Sequence, residues 1–342
     1  MPTDGRSDEG DLAPVSSMET LPPGVTDDGV TDVGRLLSEH RDRLDAGASA
    51  LQVFFQNSTG VVLRVDRIND TSARLVTLTS AAGERLSYYF DDPVYAVYNG
   101  TDRTVAYAHG DVPLAGDAVL IDIAITGLGT TWLEAVEGEP AGVRTADGEK
   151  RLVLEGTGLN ETLARRNGTL LPSLADEESP VTDVGAELAV TGGGLVREAD
   201  LAVTREVNGS SETLRFAMGV EPFAADGLSE PGWLSDAPRV ELETAAQDRL
   251  LALDHTGGPA VESGTDLTVT AGGERLGTVA LPSAVEPGEA VYVYRTGDGS
   301  LEVSVGERPT IPDDATAFTG DVLVTGTQGR VTFRAGAETG GE

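Results

Sequence analysis

The amino-acid sequence predicts a mainly β protein with a few helices (α+β): an antiparallel sheet packed on an amphipathic helix, followed by a C-terminal β-sandwich. Three observations predict it. Short apolar/polar alternations recur along the chain, bounded by turn signals such as NGTD, DDP and AAGE. The clearest helical period is confined to TDVGRLLSEHRDRL, residues 31 to 44. Beyond residue 239 the pattern is purely short strands at sandwich spacing.

Taken in order, residues 1–22 are acidic and nearly free of large apolar groups, the composition of a flexible leader. In the helical stretch Val33, Leu36, Leu37, His40 and Leu44 share one face, with Thr31 or Asp32 to cap the start and Gly47 beyond the end. That stripe must be buried, and the strands that follow supply the surface. VVLRVDRI alternates Leu63 and Val65 with Arg64 and Asp66; RLVTLT, RLSYYF, VYAVY and RTVAYA continue an antiparallel meander. LAGDAVLIDIAITG reads as a second helix or a buried crossover. A hairpin around Asp147-Gly148, a short helix near LNETLARR and a hairpin through TGGGLV follow. TLRFAMGVEP then places Leu214, Phe216, Met218 and Val220 on one face. The Pro- and Gly-rich PFAADGLSEPGWLSDAP marks a boundary. It divides a first domain, residues 23–238, from a sandwich of residues 239–336 and a tail of residues 337–342.

The 24 basic and 57 acidic residues leave a formal charge of −33, and Lys150 is the single lysine. The acids are dispersed rather than gathered in a tail. Molar salt shortens the Debye length to about 3 Å, so such a surface scarcely repels itself there. Dispersed acid and scarce lysine resemble the proteins of extreme halophiles. No basic patch offers itself to phosphates, which argues against nucleic acid as a partner. With no cysteine, disulfides and thiolate-bound metals are excluded. No run of 18 apolar residues occurs, and PTDGRSDEGD after Met1 is no signal peptide.

The asparagines bear on location. There are six, Asn57, Asn69, Asn99, Asn160, Asn167 and Asn208, in the contexts NST, NDT, NGT, NET, NGT and NGS. Every one is an N-glycosylation acceptor. Ser and Thr make up roughly one residue in six, so six coincidences would arise about twice in 100,000 chains. Turn formation explains one or two of these sites well and all six badly. The expectation is an exported, extracytoplasmic protein.

The stretch LPPGVTDDGVTDVGRLLSEHRDRL, the NGT-bearing meander, GLVREADLAV and EPGWLSDA resemble, over residues 20–238, a family of haloarchaeal cell-surface lipoproteins. That family is similar to the LolA/LppX fold, in which a curved antiparallel sheet wraps around helices and leaves an apolar cavity. The resemblance implies a helix lid, a lipid-like ligand and a membrane anchor on an N-terminal cysteine. This chain has no cysteine, so the anchor either precedes it or is not used. DHTGG followed by DLTVTAGG is similar to β-sandwich domains of archaeal pilin-like surface proteins.

Candidate chemistry is sparse. His40 lies on the apolar face of the helix and reads as a packed residue; His109 sits beside Asp111, and His255 follows Asp254 at a turn. No G-x-S-x-G elbow occurs, TGGGLV lacks the lysine of a phosphate loop, and the acidic clusters lack calcium-loop spacing. No catalytic residue, metal or cofactor is assigned. Val33, Leu36, Leu37, Phe54, Phe90, Tyr95 and Trp132 are the candidate lining of an apolar-ligand cavity. The function expected is non-enzymatic carriage of an apolar, lipid-like ligand at the cell surface, with envelope proteins as further partners. The alternative is a structural or adhesive envelope glycoprotein with no small ligand.

Overall fold

A computed structural model describes residues 12–47, 49–57, 60–69, 73–110, 132–165, 174–175, 179–222 and 228–339. The chain runs through β1 (Val25–Thr26), β2 (Gly29–Val30), helix α1 (Val33–Ala46), β3 (Ser49–Asn57), β4 (Gly60–Asn69) and β5 (Ala73–Ser80). β6 (Arg85–Asp91), β7 (Val94–Asn99), β8 (Thr104–His109), β9 (Val136–Ala146), β10 (Glu149–Leu159) and the short α2 (Glu161–Ala164) follow. Next come β11 (Val181–Thr191), β12 (Val196–Val207), β13 (Ser210–Pro222), β14 (Arg239–Ala245), β15 (Leu250–Gly257) and β16 (Asp266–Ala271). The last strands are β17 (Glu274–Ala280), β18 (Ala290–Arg295), β19 (Leu301–Val305), β20 (Val322–Gln328) and β21 (Val331–Ala337). The protein is mostly β, as its alternations require. The stretch LAGDAVLIDIAITG lies outside the described residues.

These elements form two compact units. The first holds α1, β3, β4 and β9–β13; the second holds β6–β8 and β14–β21; β5 divides between them after residue 76. The partition departs from the chain-order boundary expected at residue 238. β8 pairs in parallel with β21, Val105 opposite Val331, which draws the meander of β6–β8 into the sheet of the C-terminal strands. An alternation pattern reports which residues are half-buried but not which distant strand lies alongside.

In the first unit the strand order is β9-β10-β11-β12-β13-β3-β4, all antiparallel. Alternation is strict where one face is buried: Leu51, Val53 and Phe55 on β3, and Leu214, Phe216, Met218 and Val220 on β13. α1 begins where Asp32 Oδ1 accepts the Arg35 N–H at 2.9 Å, and it buries Leu36, Leu37, His40 and Leu44. The TGGG turn joining β11 to β12 comes close to α1. Gly194 adopts φ +89°, and a Cβ there would lie 2.6 Å from Glu39 Cγ, so only glycine fits.

The segment expected as a flexible leader is tied down over its described residues. Ala13 and Val143 exchange backbone hydrogen bonds of 2.9 and 2.8 Å, and Lys150 Nζ donates to the Ser17 carbonyl at 2.7 Å. The physical reason is that β9 is an edge strand whose peptide groups stand open to pairing.

In the second unit, β17-β16-β20-β21-β8-β7-β6 make one sheet and β14-β15-β18-β19 another. Both contribute to a single buried core that includes Tyr107, Leu251, Leu253, Leu267, Val293 and Phe333.

Candidate functional site

The seven residues expected to line an apolar cavity are divided between the two units. Leu36, Leu37 and Trp132 are buried in the first unit, with Val33 half-buried. Phe54 is half-buried on the other side of β3 from Val53 and Phe55, and the Arg64 guanidinium carbon sits 5.2 Å from its ring centroid. The inward aromatic is its neighbour. Phe55 meets Trp132 edge-on at 5.7 Å and Phe216 at 5.2 Å, a contact trio at aromatic packing distance. Phe55 and Phe216 are direct cross-strand partners between β3 and β13. Phe90 and Tyr95 belong to the second unit, where they pair across β6 and β7 with centroids 4.7 Å apart.

The described asparagines among the six expected glycosylation acceptors share one kind of position. Asn57 ends β3 paired with Gly60 of β4, and Asn69 ends β4 opposite Ser49. Asn99 ends β7, where its Oδ1 accepts from the N–H groups of Thr101 at 2.9 Å and Asp102 at 3.3 Å. The turn expected at NGT is therefore present, as an Asx-turn at a strand end. Asn160 is exposed and caps α2, its Oδ1 accepting the Leu163 N–H at 3.2 Å. Asn208 is exposed at φ +52°, leading the Asn-Gly turn between β12 and β13. Asn167 lies outside the described residues. Every described acceptor thus stands at the end of an element, none in a strand interior.

The histidines separate by environment. His40 is buried, and its Nδ1 accepts the Val196 N–H at 3.2 Å, a packing role. His109 Nε2 lies 3.8 Å from Glu241 of β14, while Asp111, its expected partner, falls outside the described residues. His255 is not at a turn. β15 continues through it, and the side chain is buried in the core of the second unit with Nδ1 3.1 Å from the Val285 carbonyl. Among the described residues no three His, Asp or Glu side chains gather to hold a metal. Asp32 of the acidic TDDGVTD run is committed to capping α1.

A polar fringe lines part of the second unit's core. Arg239 forms an ion pair with Glu230, and Tyr98 stacks on Trp233 with centroids 5.6 Å apart. Burial, and then the hydrogen bond to Asp91, push the Tyr89 phenol up to about 12. Burial, only partly offset by the Arg239 charge, does the same at Tyr107, also to about 12. Both phenols are therefore expected to ionise late in an ultraviolet titration, and Tyr89→Phe or Tyr107→Phe should each remove one late component. Because the folded phenols hold their protons longer than an unfolded tyrosine, their stabilisation is complete below pH ~10 and disappears as pH climbs through ~12.

No protein-family model matches the sequence, and no curated protein matches it. Solved structures do. The Pseudomonas aeruginosa MucA/MucB complex matches at TM-score 0.28 and 12% identity, over 86% of this chain and 87% of that one. LprF from Mycobacterium bovis matches at TM-score 0.32 and 8% identity, over 60% of this chain and 98% of that one. The Mycobacterium tuberculosis lipoprotein LppX matches at TM-score 0.28 and 15% identity, over 56% and 98%. Likeness at these scores does not assign the chain to a family. Among the described residues no helix is long and apolar enough to cross a membrane.

Proposed function

We propose that this chain is a non-enzymatic, N-glycosylated protein of the cell surface in a halophilic archaeon, acting as a structural or adhesive envelope component. The observation that carries the reading is the placement of the acceptors: all five described ones stand at element ends. These are positions where a strand ends or a turn begins, so a sugar on the side-chain amide would leave the strand interiors undisturbed. The charge of −33 supports the same setting, because screening by brine makes such a surface tolerable. A role in contact rather than turnover is supported by His40 and His255, which are engaged in packing. Intact and peptide mass analysis of protein purified at high salt from such a host is the test. Glycan mass on most of the six acceptors is expected; six bare asparagines would overturn the proposal.

A second reading keeps the first unit as the carrier of an apolar, lipid-like ligand on a membrane-anchored protein. One specific observation favours it: β3, β12 and β13 present a shared buried apolar face carrying Leu51, Val53, Leu201, Val203 and Leu214, of the kind a hydrocarbon chain could share. Solvent extraction and mass spectrometry of the same preparation separates the two. Stoichiometric lipid supports carriage, and its absence supports the structural role.

A further inference from the structure

β19 is the last strand of the four-stranded sheet in the second unit and has a neighbour, β18, on one side only. The bonds at its two ends fix which of its backbone groups are used. Thr296 N–H donates to the Ser300 carbonyl at 2.9 Å, and Gly306 N–H to the Ala290 carbonyl at 2.8 Å. Bonding direction alternates along a strand, so Glu302 and Ser304 bond to β18 while the odd residues turn their N–H and C=O groups outward. Those are Leu301, Val303 and Val305, whose side chains pack against the core of the unit. The Val305 carbonyl accepts the Glu307 N–H at 2.9 Å. Among the described residues nothing bonds the outward groups of Leu301 and Val303.

An open edge is a template for further pairing, and proteins commonly blunt it. The other outer strands carry such devices. β9 contains Pro140, shifts register twice and is paired by Ala13. β14 follows Pro238 and shifts register between Arg239 and Val240. β17 carries Glu274 and Arg275 and pairs with β16 through a register shift at Val269 and Thr270. β19, LEVSV, has no proline, no basic residue and an unbroken register against β18. In a chain with 57 acids in 342 residues, its one charge is the exposed Glu302.

We propose that β19 is a self-association edge, through which two copies of this chain pair antiparallel about a two-fold axis at Val303. The outward groups meet only where odd residues oppose odd residues. Among such registers, the one centred on Val303 engages the whole strand. It sets Leu301 against Val305 of the second copy, and Glu302 against Ser304, so each carboxylate faces a hydroxyl. A register centred on Glu302 would oppose two carboxylates, and one centred on Ser304 would carry Leu301 past the end of the facing strand. The Val305 carbonyl keeps a second lone pair for the incoming Leu301 N–H. One patch serves both copies, as a two-fold contact requires, and the two four-stranded sheets become one continuous sheet. So short an edge belongs with the small, transient interfaces. It suits copies crowded on a surface. The inference deepens the reading of a structural envelope component, and rests on it for the setting.

The chain has no cysteine, so introduced thiols report without background. Glu302→Cys and Ser304→Cys are prepared as separate full-length proteins and mixed at molar salt with diamide as oxidant. In the proposed register these two positions form a non-hydrogen-bonded pair with Cα atoms about 4.5 Å apart, within disulfide reach. Each position stands about 8 Å from its own counterpart, beyond that reach. Intact mass analysis should show the mixed dimer as the dominant product, and almost none from either variant alone. A statistical mixture of dimers, a dimer of Glu302→Cys with itself, or monomers throughout would overturn the proposal. The two readings fail separately: bare asparagines would remove the envelope setting and leave this crosslink, whereas loss of the crosslink would leave the glycans.

Discussion

Diluting the protein from about 1 M to about 0.1 M salt is expected to unfold it, because the Debye length grows from about 3 to about 10 Å over that range. The formal charge of −33 is spread along the whole chain, so lengthening the screening distance switches on many carboxylate repulsions at once. Contact ion pairs respond differently. Arg151–Glu198 at 2.8 Å, Arg205–Glu212 at 2.8 Å and Arg197–Glu149 at 2.9 Å lie within even the shortest screening length. Salt therefore removes repulsion at a distance while leaving these close attractions largely in place. A domain stable by only about 5–15 kcal/mol cannot absorb the summed repulsion. Far-ultraviolet circular dichroism should show loss of strand signal on dilution and recovery when salt is restored. Matching the osmolarity with sucrose separates screening from general strengthening of burial. If sucrose protects as well as salt does, or if dilution changes nothing, the acidic surface is not what ties this fold to brine.

Much of the local structure was legible because each element carries its own signal. The stripe through Leu36, Leu37, His40 and Leu44 and the cap at Asp32 specify α1 within the sequence itself. The hairpin at Asp147-Gly148 is equally local: both residues adopt positive φ, at 53° and 78°, as the tight turn demands. What was not legible is everything that depends on a distant partner. β13 meets β3, and β8 meets β21 in parallel, across gaps in which no alternation pattern records the pairing. The adjacent Phe54 and Phe55 show the same limit in miniature. A strand sends neighbours to opposite faces, so one of the two must turn inward, but composition does not say which. His255 was misplaced for a different reason. The glycines that follow it suggest a turn, yet the strand persists through Gly257 because β14 pairs with it as far as Arg239.

Phe216→Ala is expected to cost about 3–5 kcal/mol of stability, the range for truncating a packed core phenylalanine. The residue is 0% exposed and touches both other members of the trio, with centroids 5.2 Å from Phe55 and 6.5 Å from Trp132. Phe55 is held opposite it by the β3–β13 ladder, which limits how far the space can collapse. Denaturant unfolding at molar salt, followed through Trp132 in a Trp233→Phe background, measures the loss directly. The same variant distinguishes the two functional readings of the first unit. In a filled core the deleted ring leaves a void that lowers stability and gains no ligand. In a lipid carrier the trio would be part of a deformable lining. Truncation would then cost little, and the enlarged space would retain at least as much extractable lipid as the parent. A loss near 4 kcal/mol with no lipid in either protein supports a solid interior; a small loss accompanied by lipid uptake defeats it.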